Sequence, residues 1–330
     1  MTRKSGDLPD QGRLWEKALP PGAGVRVWPE PARMAWPCPP RWLAAPDVQI
    51  AIAPGVAQVD KDDDPMTKTL LAAAASTAIS TMIPAAAHTH FLLEYTTETM
   101  IERPGDVPVK LIFWHPFGNG HVMDLEMPQE FFMIHNGEKV DLKGSLEPVT
   151  FTGSQNEGAA FRGVVPVKRS GDYVLVTVPV PYYEESEDIY IQQLTKAFLN
   201  RNELPTDWME PVGLPTEIVP LNKPYNVLAG STFTGQVLAN GEPVAGAEIE
   251  IEYMAAEPDM ESAAASTPTV SPPPGGAVVA ISDANGYFTF GIPKAGYWGF
   301  AALGSGPETE HEGKELSQDA VIWIRAWDLE

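Results

Sequence analysis

The sequence is poor in cysteine and in basic residues. A single cysteine, Cys38, occurs in 330 residues, which excludes an intramolecular disulfide. Lysine and arginine number 22 against 44 aspartate and glutamate residues, so the formal net charge is −22. Because carboxylates repel phosphates, this balance argues against a nucleic-acid partner, and it suits a soluble protein or one that handles cations. No apolar run is long enough to span a bilayer as a helix of the mature chain.

Residues 1–65 differ in composition from the rest of the chain. They hold 11 of the 33 prolines, and the run "PEPARMAWPCPP" shows neither a helical nor a strand period. Such a composition is typical of sequence that does not form a packed core. We interpret residues 1–65 as a disordered extension and expect the true start to be Met66, with the extension a mis-called gene start.

Residues 66–87 have the pattern of a secretory signal peptide. The stretch "MTKTLLAAAASTAISTMIPAAAHTH" begins with a basic residue, Lys68, continues with small and apolar residues, and reaches three alanines at 85–87. A buried alanine-rich helix is the structural alternative. We predict export to the periplasm and cleavage after Ala87, so that the mature chain begins at His88. That chain contains no cysteine, which suits an oxidising compartment.

The mature chain consists of short β-like runs separated by turn signals. In Ala247–Tyr253 three glutamates alternate with Ile249, Ile251 and Tyr253, which is the period of a strand. "NGE" at 136–138 and 240–242 and "DANG" at 283–286 are typical of tight turns. No long helical period occurs. The sequence therefore predicts an all-β fold of two Ig-like or transthyretin-like β-sandwich domains.

The boundary between the predicted domains lies in a proline-rich stretch. "MEPVGLPTEIVPLNKPY", residues 209–225, contains prolines that interrupt strand ladders. We predict an N-terminal sandwich with a metal site at 88–215 and a C-terminal sandwich at 216–330. The turns "NGEPVAG" and "DANGYF" of the second are similar to those of carboxypeptidase-regulatory-like domains. A long loop rich in proline, serine and alanine follows at 254–276, and we expect most of 256–274 to lack fixed structure.

Four of the six histidines lie between residues 88 and 121. Once Ala87 is removed, the terminal amine, two backbone amides and His90 can form a square-planar site for Ni²⁺ or Cu²⁺. Alternatively, His88 can use its amine and its own imidazole, with another histidine completing the site. In "FWHPFGNGHVMD" a turn can bring His115 and His121 together. The structural alternative is that these histidines flank a cleavage site by chance or cap a turn. We predict a metal site formed by His88, His90, His115 and His121.

The remaining candidate residues give weaker signals. His135 lies in a hairpin turn, His311 in an acidic loop, and "VPVPYYEESEDIYI" at 178–191 is either a solvated edge or a rim that attracts cations. The sequence contains neither a G-x-S-x-G motif nor a phosphate-binding loop, and the mature chain has no cysteine nucleophile. We therefore expect that the protein is not an enzyme.

Several of these motifs, taken in order, resemble a known family. "FWHPFGNGHVMD", "GDYVLVTVPVPYYEESEDIYIQQLTK", "GLPTEIVPLNKPY" and "DANGYFTFGIPKAGYWGFAA", behind a histidine-bearing mature start, are similar to bacterial periplasmic nickel-uptake accessory proteins. The resemblance covers about residues 85–330. It implies two β-sandwich domains, export, and delivery of nickel or cobalt to an importer in the inner membrane. It places the family's ligand positions on His88, His90, His115 and His121.

These observations favour a periplasmic protein that binds Ni²⁺, or Co²⁺, and delivers it to an inner-membrane metal transporter. Three alternatives remain open at this point. A periplasmic copper-binding protein is the first, because copper outranks nickel for nitrogen ligands. A secreted copper oxygenase that acts on polysaccharide through a histidine brace is the second. The third is a secreted β-sandwich scaffold or adhesion module in which the histidines are incidental.

Overall fold

The computed structural model describes residues 90–274 and 277–329, which belong to one compact unit, Ile79–Glu330. The predicted extension at 1–65, the predicted signal peptide at 66–87 and the predicted ligand His88 lie outside the described residues. The described part contains no α-helix, and therefore no helix that could cross a membrane. A single 3-10 turn occurs there, at Lys143–Ser145. The prediction of an all-β fold is confirmed.

The described residues form 21 strands, most of them short. In the first half of the chain they are β1 Phe91–Tyr95, β2 Met100–Ile101, β3 Gly105–Trp114, β4 Val122–Met123, β5 Glu130–His135, β6 Glu138–Asp141, β7 Glu147–Thr152, β8 Glu157–Val167, β9 Gly171–Val178, β10 Tyr182–Glu184 and β11 Ile189–Arg201. In the second half they are β12 Thr216–Pro220, β13 Val227–Leu228, β14 Thr232–Ala239, β15 Glu242–Pro243, β16 Glu248–Tyr253, β17 Val278–Ile281, β18 Tyr287–Gly291, β19 Gly296–Ala302, β20 Glu310–His311 and β21 Lys314–Trp327.

Three sheets are stacked as layers. The central sheet has the strand order β17-β16-β19-β21-β11-β9-β5-β6, with β2, β10, β13 and β20 as additional short partners. A five-stranded sheet, β1-β3-β8-β7 with β4 paired to β3, covers one face of the central sheet. A four-stranded sheet, β12-β14-β15 with β18 paired to β14, covers the other face. Two hydrophobic cores result, one on each side of the central sheet.

The central strands are buried on both faces. In β21, Val321 and Trp323 pack into the core shared with the five-stranded sheet, whereas Ile322 and Ile324 pack into the core shared with the four-stranded sheet. A strand buried on both faces has no polar side, and it therefore reads as a nearly continuous apolar run. The sequence "AVIWIRAW" at 320–327 shows this pattern.

The two halves of the chain meet in the parallel pair β11–β21. The register runs from Tyr190 opposite Leu316 to Lys196 opposite Ile322. The predicted division between 88–215 and 216–330 falls between β11 and β12, and the central sheet contains strands from both sides of that position. The two predicted sandwiches thus share one sheet, while the division into domains stays a prediction.

The two predicted Asn-Gly turns close hairpins. Asn136 and Gly137 have φ angles of 51° and 74° between β5 and β6, and Asn240 and Gly241 have 49° and 81° between β14 and β15. Positive φ at both central residues is the requirement of a type I′ turn, which asparagine and glycine tolerate best. At the third predicted turn, a Cβ on Gly286 would lie 2.6 Å from the carbonyl oxygen of Val237, so only glycine fits.

The segment that follows β16 is packed rather than loose. Thr152 at the end of β7 accepts a hydrogen bond from the Ala265 N–H and donates its own N–H to the carbonyl of Ala263. Met254 and Ala256 are buried in the core beneath the five-stranded sheet. The expectation that most of 256–274 lacks fixed structure is therefore wrong where this segment pairs with β7. The small side chains of this segment allow its backbone to approach β7 closely. Composition alone does not reveal this pairing.

A buried ion pair joins the central sheet to the four-stranded sheet. The ammonium of Lys196 in β11 lies 2.6 Å from a carboxylate oxygen of Glu217 in β12, and both side chains are at most 3% exposed. Burial lowers the pKa of Lys196. Burial pushes the pKa of Glu217 upward, but Lys196 and the backbone N–H groups of Val212 and Gly213 together hold it below its ordinary value. The pair therefore stays charged in the folded protein.

Removing one partner of this pair should cost far more stability than breaking an exposed pair. Glu217→Gln leaves the Lys196 ammonium buried without a counter-charge, and we expect the free energy of unfolding to fall by about 3–5 kcal/mol. The matched control is Glu147→Gln, which breaks the exposed pair with Arg162 and should cost less than about 1 kcal/mol. Urea unfolding of both variants measures the difference. Equal losses would show that water reaches the Lys196–Glu217 pair.

Buried carboxyl groups should make the protein less stable as the pH rises. Burial raises the pKa of Glu94 and of Glu250 to about 8 in each case, against an ordinary value of 4.5. Between these values the folded chain binds more protons than the unfolded chain, so their contribution is complete below pH 4.5 and is lost as the pH passes 8. We expect the melting temperature to fall between pH 5 and pH 9.

The variant Glu94→Gln isolates one of these groups. The amide stays neutral at every pH and can still accept the hydrogen bond from the Thr177 hydroxyl. Its melting temperature should therefore depend less steeply on pH than that of the unmodified protein, with the difference largest near pH 9. Scanning calorimetry across this range measures both slopes. An unchanged slope would show that Glu94 is ionised in the folded protein.

Candidate metal centre

The antiparallel register of β1 and β3 brings His90 and His115 together. Phe91 lies opposite Trp114 in this ladder, so the residues one step further out, His90 and His115, also face each other. Residues opposite one another on an antiparallel pair place their side chains on the same face. The two imidazole rings lie with their centroids 4.5 Å apart. Two of the predicted ligands thus lie next to each other, although they come from different parts of the sequence.

The pair lies in a partly apolar setting with one carboxylate beside it. His90 is only 8% exposed, and its ring meets the edge of Phe113 at 5.7 Å. The Glu184 carboxylate, at the end of β10, lies 3.9 Å from Nδ1 of His90. Burial pushes the pKa of Glu184 upward, but hydrogen bonds from Ser186 and the charges of His90 and His121 hold it below its ordinary value. Glu184 is therefore available as an anionic oxygen donor.

Side chains of the central sheet fix the start of β1. The Gln193 amide donates to the carbonyl of His90 at 2.6 Å and accepts from the Leu92 N–H at 2.7 Å. The indole N–H of Trp323 donates to the carbonyl of Leu92 at 2.8 Å. Gln193 thus acts on β1 as a neighbouring backbone would. These contacts fix the position of His90, which is the first described residue and directly precedes β1.

The loop that carries His115 is held at both ends. The Gly120 N–H donates to the carbonyl of His115 at 3.0 Å, which closes the turn. The Phe117 N–H donates to a side-chain oxygen of Glu252 at 2.9 Å, and the Ala256 N–H donates to the carbonyl of Pro116 at 3.1 Å. The packed segment after β16 therefore supports the turn between the two histidines.

His121 lies beside the pair and faces solvent. Val122 lies opposite Trp114 in the antiparallel β3–β4 ladder. The next residues outward, His121 and His115, therefore also face each other. The His121 ring is within hydrogen-bond distance of the Asn156 amide, with Nε2 and Nδ2 separated by 3.2 Å. Its charge acts on Glu184, which places it in the same neighbourhood as His90. In the described part of the chain, no group of three or more histidine, cysteine or carboxylate side chains is arranged to hold a metal ion.

Two residues of this site were not named from the sequence. Glu184 belongs to "YYEESED", which we interpreted as a solvated edge or a cation-attracting rim, and the acidic run itself was the available signal. Gln193 gives no sequence signal, because its role depends on how β11 packs beneath β1.

The other two histidines lie elsewhere. His135 stacks on Tyr173 at 4.1 Å, and its Nδ1 lies 2.8 Å from the carbonyl oxygen of Asp172. His311 meets the ring of Tyr190 edge-on at 4.7 Å. Neither has a contact with His90 or His115 among the ring pairs of the described residues, so both are suitable controls.

The sequence matches one known family. A family model described as "Domain of unknown function (DUF4198)" matches residues 85–306. The chain belongs to the DUF4198 family. The match begins three residues before His88 and includes every histidine of the candidate centre. The family description carries no activity, so the resemblance to nickel-uptake accessory proteins stays a prediction. No curated protein matches the chain.

Among solved structures the similarity is weak. The D0-D1 domain of intimin is 11% identical, with 70% of this chain and 96% of that chain covered and a TM-score of 0.18. The N-terminal eight Ig domains of Down syndrome cell adhesion molecule are 11% identical over 73% and 28%, with a TM-score of 0.19. Fibronectin(III)-like modules of CbhA from Clostridium thermocellum are 8% identical over 72% and 95%, with a TM-score of 0.17. The β-sandwich description of the DUF4198 chain rests on its own sheets.

Replacing Gln193 should loosen the start of β1. Gln193→Leu keeps the side-chain size but removes both hydrogen bonds to the start of β1, together with a longer one to Asp319, so the Leu92 amide loses its acceptor. We expect faster hydrogen exchange at Leu92, with little change in the centre of β11. The control is Gln236→Leu, which removes a bond from a partly exposed glutamine to the Asn285 carbonyl. Unchanged protection at Leu92 would mean that Gln193 does not hold this strand.

Proposed function

We propose that this DUF4198 protein is a periplasmic protein that binds Ni²⁺ or Co²⁺ and delivers the ion to an inner-membrane uptake system. The observation that carries the proposal is the facing pair His90 and His115, with ring centroids 4.5 Å apart. Imidazole suits nickel, cobalt, copper and zinc. Two adjacent imidazoles with a carboxylate at their side offer the mixed nitrogen and oxygen donors that first-row divalent ions accept.

His88 is the predicted ligand nearest to His90 in the sequence. It precedes His90 by two residues, and two residues of chain span at most about 7 Å. If the chain is cleaved after Ala87, the new terminal amine and the His88 imidazole become further nitrogen donors beside His90 and His115. The family match from residue 85 supports a domain that begins at this position. His121, on the solvent side, is the fourth proposed ligand.

The delivery step rests on different support. Export follows from the proposed signal peptide, and the transporter partner follows from the resemblance to nickel-uptake accessory proteins. The exposed position of His121 and the partly exposed position of His115 leave one side of the proposed centre open to solvent. An open side suits an ion that must be taken up and released.

Metal titration of the exported protein tests the proposal. We expect Ni²⁺ to bind with one ion per chain, and His90→Ala and His115→Ala each to weaken binding by at least about tenfold. His135→Ala and His311→Ala should change the affinity less than about twofold, because neither residue lies in the centre. Calorimetry with Ni²⁺, Co²⁺, Cu²⁺ and Zn²⁺ measures the order of affinities. Tightest binding by Cu²⁺ alone is expected for any nitrogen site, so selectivity must be judged against zinc and cobalt as well.

The position of the mature N-terminus distinguishes two possible geometries of the proposed metal site. A purely local trap made of the amine, two amides and His90 would be abolished by one extra alanine before His88 and unaffected by His115→Ala. The shared site that we propose should be weakened by both changes. Intact-mass measurement of the exported protein must first show cleavage between Ala87 and His88. Absence of nickel, cobalt and copper binding at micromolar concentration would leave the β-sandwich scaffold as the function of this chain.

A further inference from the structure

A cavity of about 470 Å³ lies next to the candidate metal centre. Its walls come from β10, the start of β11, the turn before β21 and the stretch 124–126. This volume is in the range of sites that hold small organic molecules. We call it the acidic aromatic cleft. The proposed function of the histidines makes no use of it.

Aromatic rings form one wall of the cleft. Tyr183 and Tyr190, opposite each other in the β10–β11 ladder, have ring centroids 5.1 Å apart. His311 meets Tyr190 at 4.7 Å and extends this wall. On the inner side, Tyr182 meets Phe113 edge-on at 5.3 Å. These rings support one another, so the wall is formed before any ligand arrives.

The charge of the lining is of one sign. Asp124, Glu126 and Glu312 contribute carboxylates, and no lysine or arginine is among the residues that line the cleft. The Tyr190 hydroxyl donates to Glu312 at 2.8 Å, which orients that carboxylate. Burial raises the pKa of Tyr182, and the nearby charges of Glu184, Asp124 and Glu185 raise it further. The potential at the inner wall is therefore negative.

One ammonium of the chain already uses this wall. Lys314 Nζ lies 4.8 Å from the centroid of the Tyr183 ring and pairs with Asp188 at the rim. Aromatic faces attract cations because the ring quadrupole is negative at its centre, and the attraction grows when the site is partly desolvated. The contact shows the chemistry that this wall accepts.

We propose that the acidic aromatic cleft binds a small organic cation, a linear polyamine or a guanidinium compound. Ammonium groups would pair with the carboxylates at 124, 126 and 312, and the alkyl chain would lie against the tyrosine rings. A saccharide also stacks on aromatic rings, but a neutral sugar leaves three carboxylates without a counter-charge. The charge of the lining therefore favours the cation.

The cleft and the candidate metal centre are separate sites. Phe113 lies between them, with its ring against His90 on one side and against Tyr182 on the other. His90, His115 and His121 are absent from the cleft lining. Cation binding in the cleft therefore does not depend on the metal, and it can be tested with metal removed.

The experiment is calorimetry on the exported protein in the presence of EDTA, with spermidine and agmatine as probes. We expect saturable binding of one probe molecule that weakens as the salt concentration rises. Glu126→Gln and Glu312→Gln should each weaken spermidine binding about five- to tenfold, the effect of losing one charge-assisted contact. The matched control is Glu310→Gln, which makes the same charge change two residues from Glu312 but outside the lining. It should change the affinity less than about twofold, and melting curves confirm that all three variants fold.

Three outcomes would overturn the proposal. Equal weakening by Glu310→Gln would show only diffuse attraction of polyamines to an acidic protein. Binding of cellotriose or maltotriose, insensitive to salt and to Glu126→Gln, would identify a saccharide cleft instead. Absence of spermidine and agmatine binding at 1 mM probe, about the weakest affinity expected of a specific site, would leave the cleft without a cationic ligand.

Discussion

The parallel pairing of β11 with β21 is the constraint on which the rest of the molecule depends. It brings the last strand of the chain beside a strand from the first half, and the central sheet is continuous only through this pair. Parallel neighbours need a long crossover, and here the crossover contains the whole four-stranded sheet. Because that sheet packs back on one face while the five-stranded sheet covers the other, the central strands lose contact with water on both sides. The buried pair Lys196–Glu217 joins the crossover to the central sheet at its first strand.

The same pairing assembles both candidate sites. Residues 183–190 come to lie beside 311–314 because Tyr190 is opposite Leu316, and this contact forms the aromatic wall of the cleft. β11 also supplies Gln193, which lines the cleft and holds the start of β1 next to His90. The candidate metal centre and the cleft therefore both depend on the β11–β21 pair. A change in the register of β11 would disturb both, because Gln193 lines the cleft and also holds the start of β1.

Sequence patterns revealed the fold class and part of the candidate site, for identifiable reasons. Asn-Gly pairs and alternating residues report local geometry, so the hairpins at 136–137 and 240–241 could be predicted. The pair His90–His115 could also be approached from sequence, because both residues flank apolar runs that become β1 and β3. Local sequence patterns do not show whether the second face of a sheet is also covered. Glu250 and Glu252 alternate with isoleucines as residues of a solvent face would, yet both are buried because the central sheet is covered twice. Gln193 and Glu184 were not predicted for the same reason, because their roles come from contacts between distant segments.

The hydrogen bond from Trp323 to the carbonyl of Leu92 has a consequence for the order in which the molecule is built. Synthesis from the N-terminus produces His90 long before Trp323. The hydrogen bond that holds β1 therefore forms only after almost all of the chain has been made. The position of His90 in this way depends on a strand far along the chain, and a chain truncated before β21 would lack the contact that holds β1 beside it.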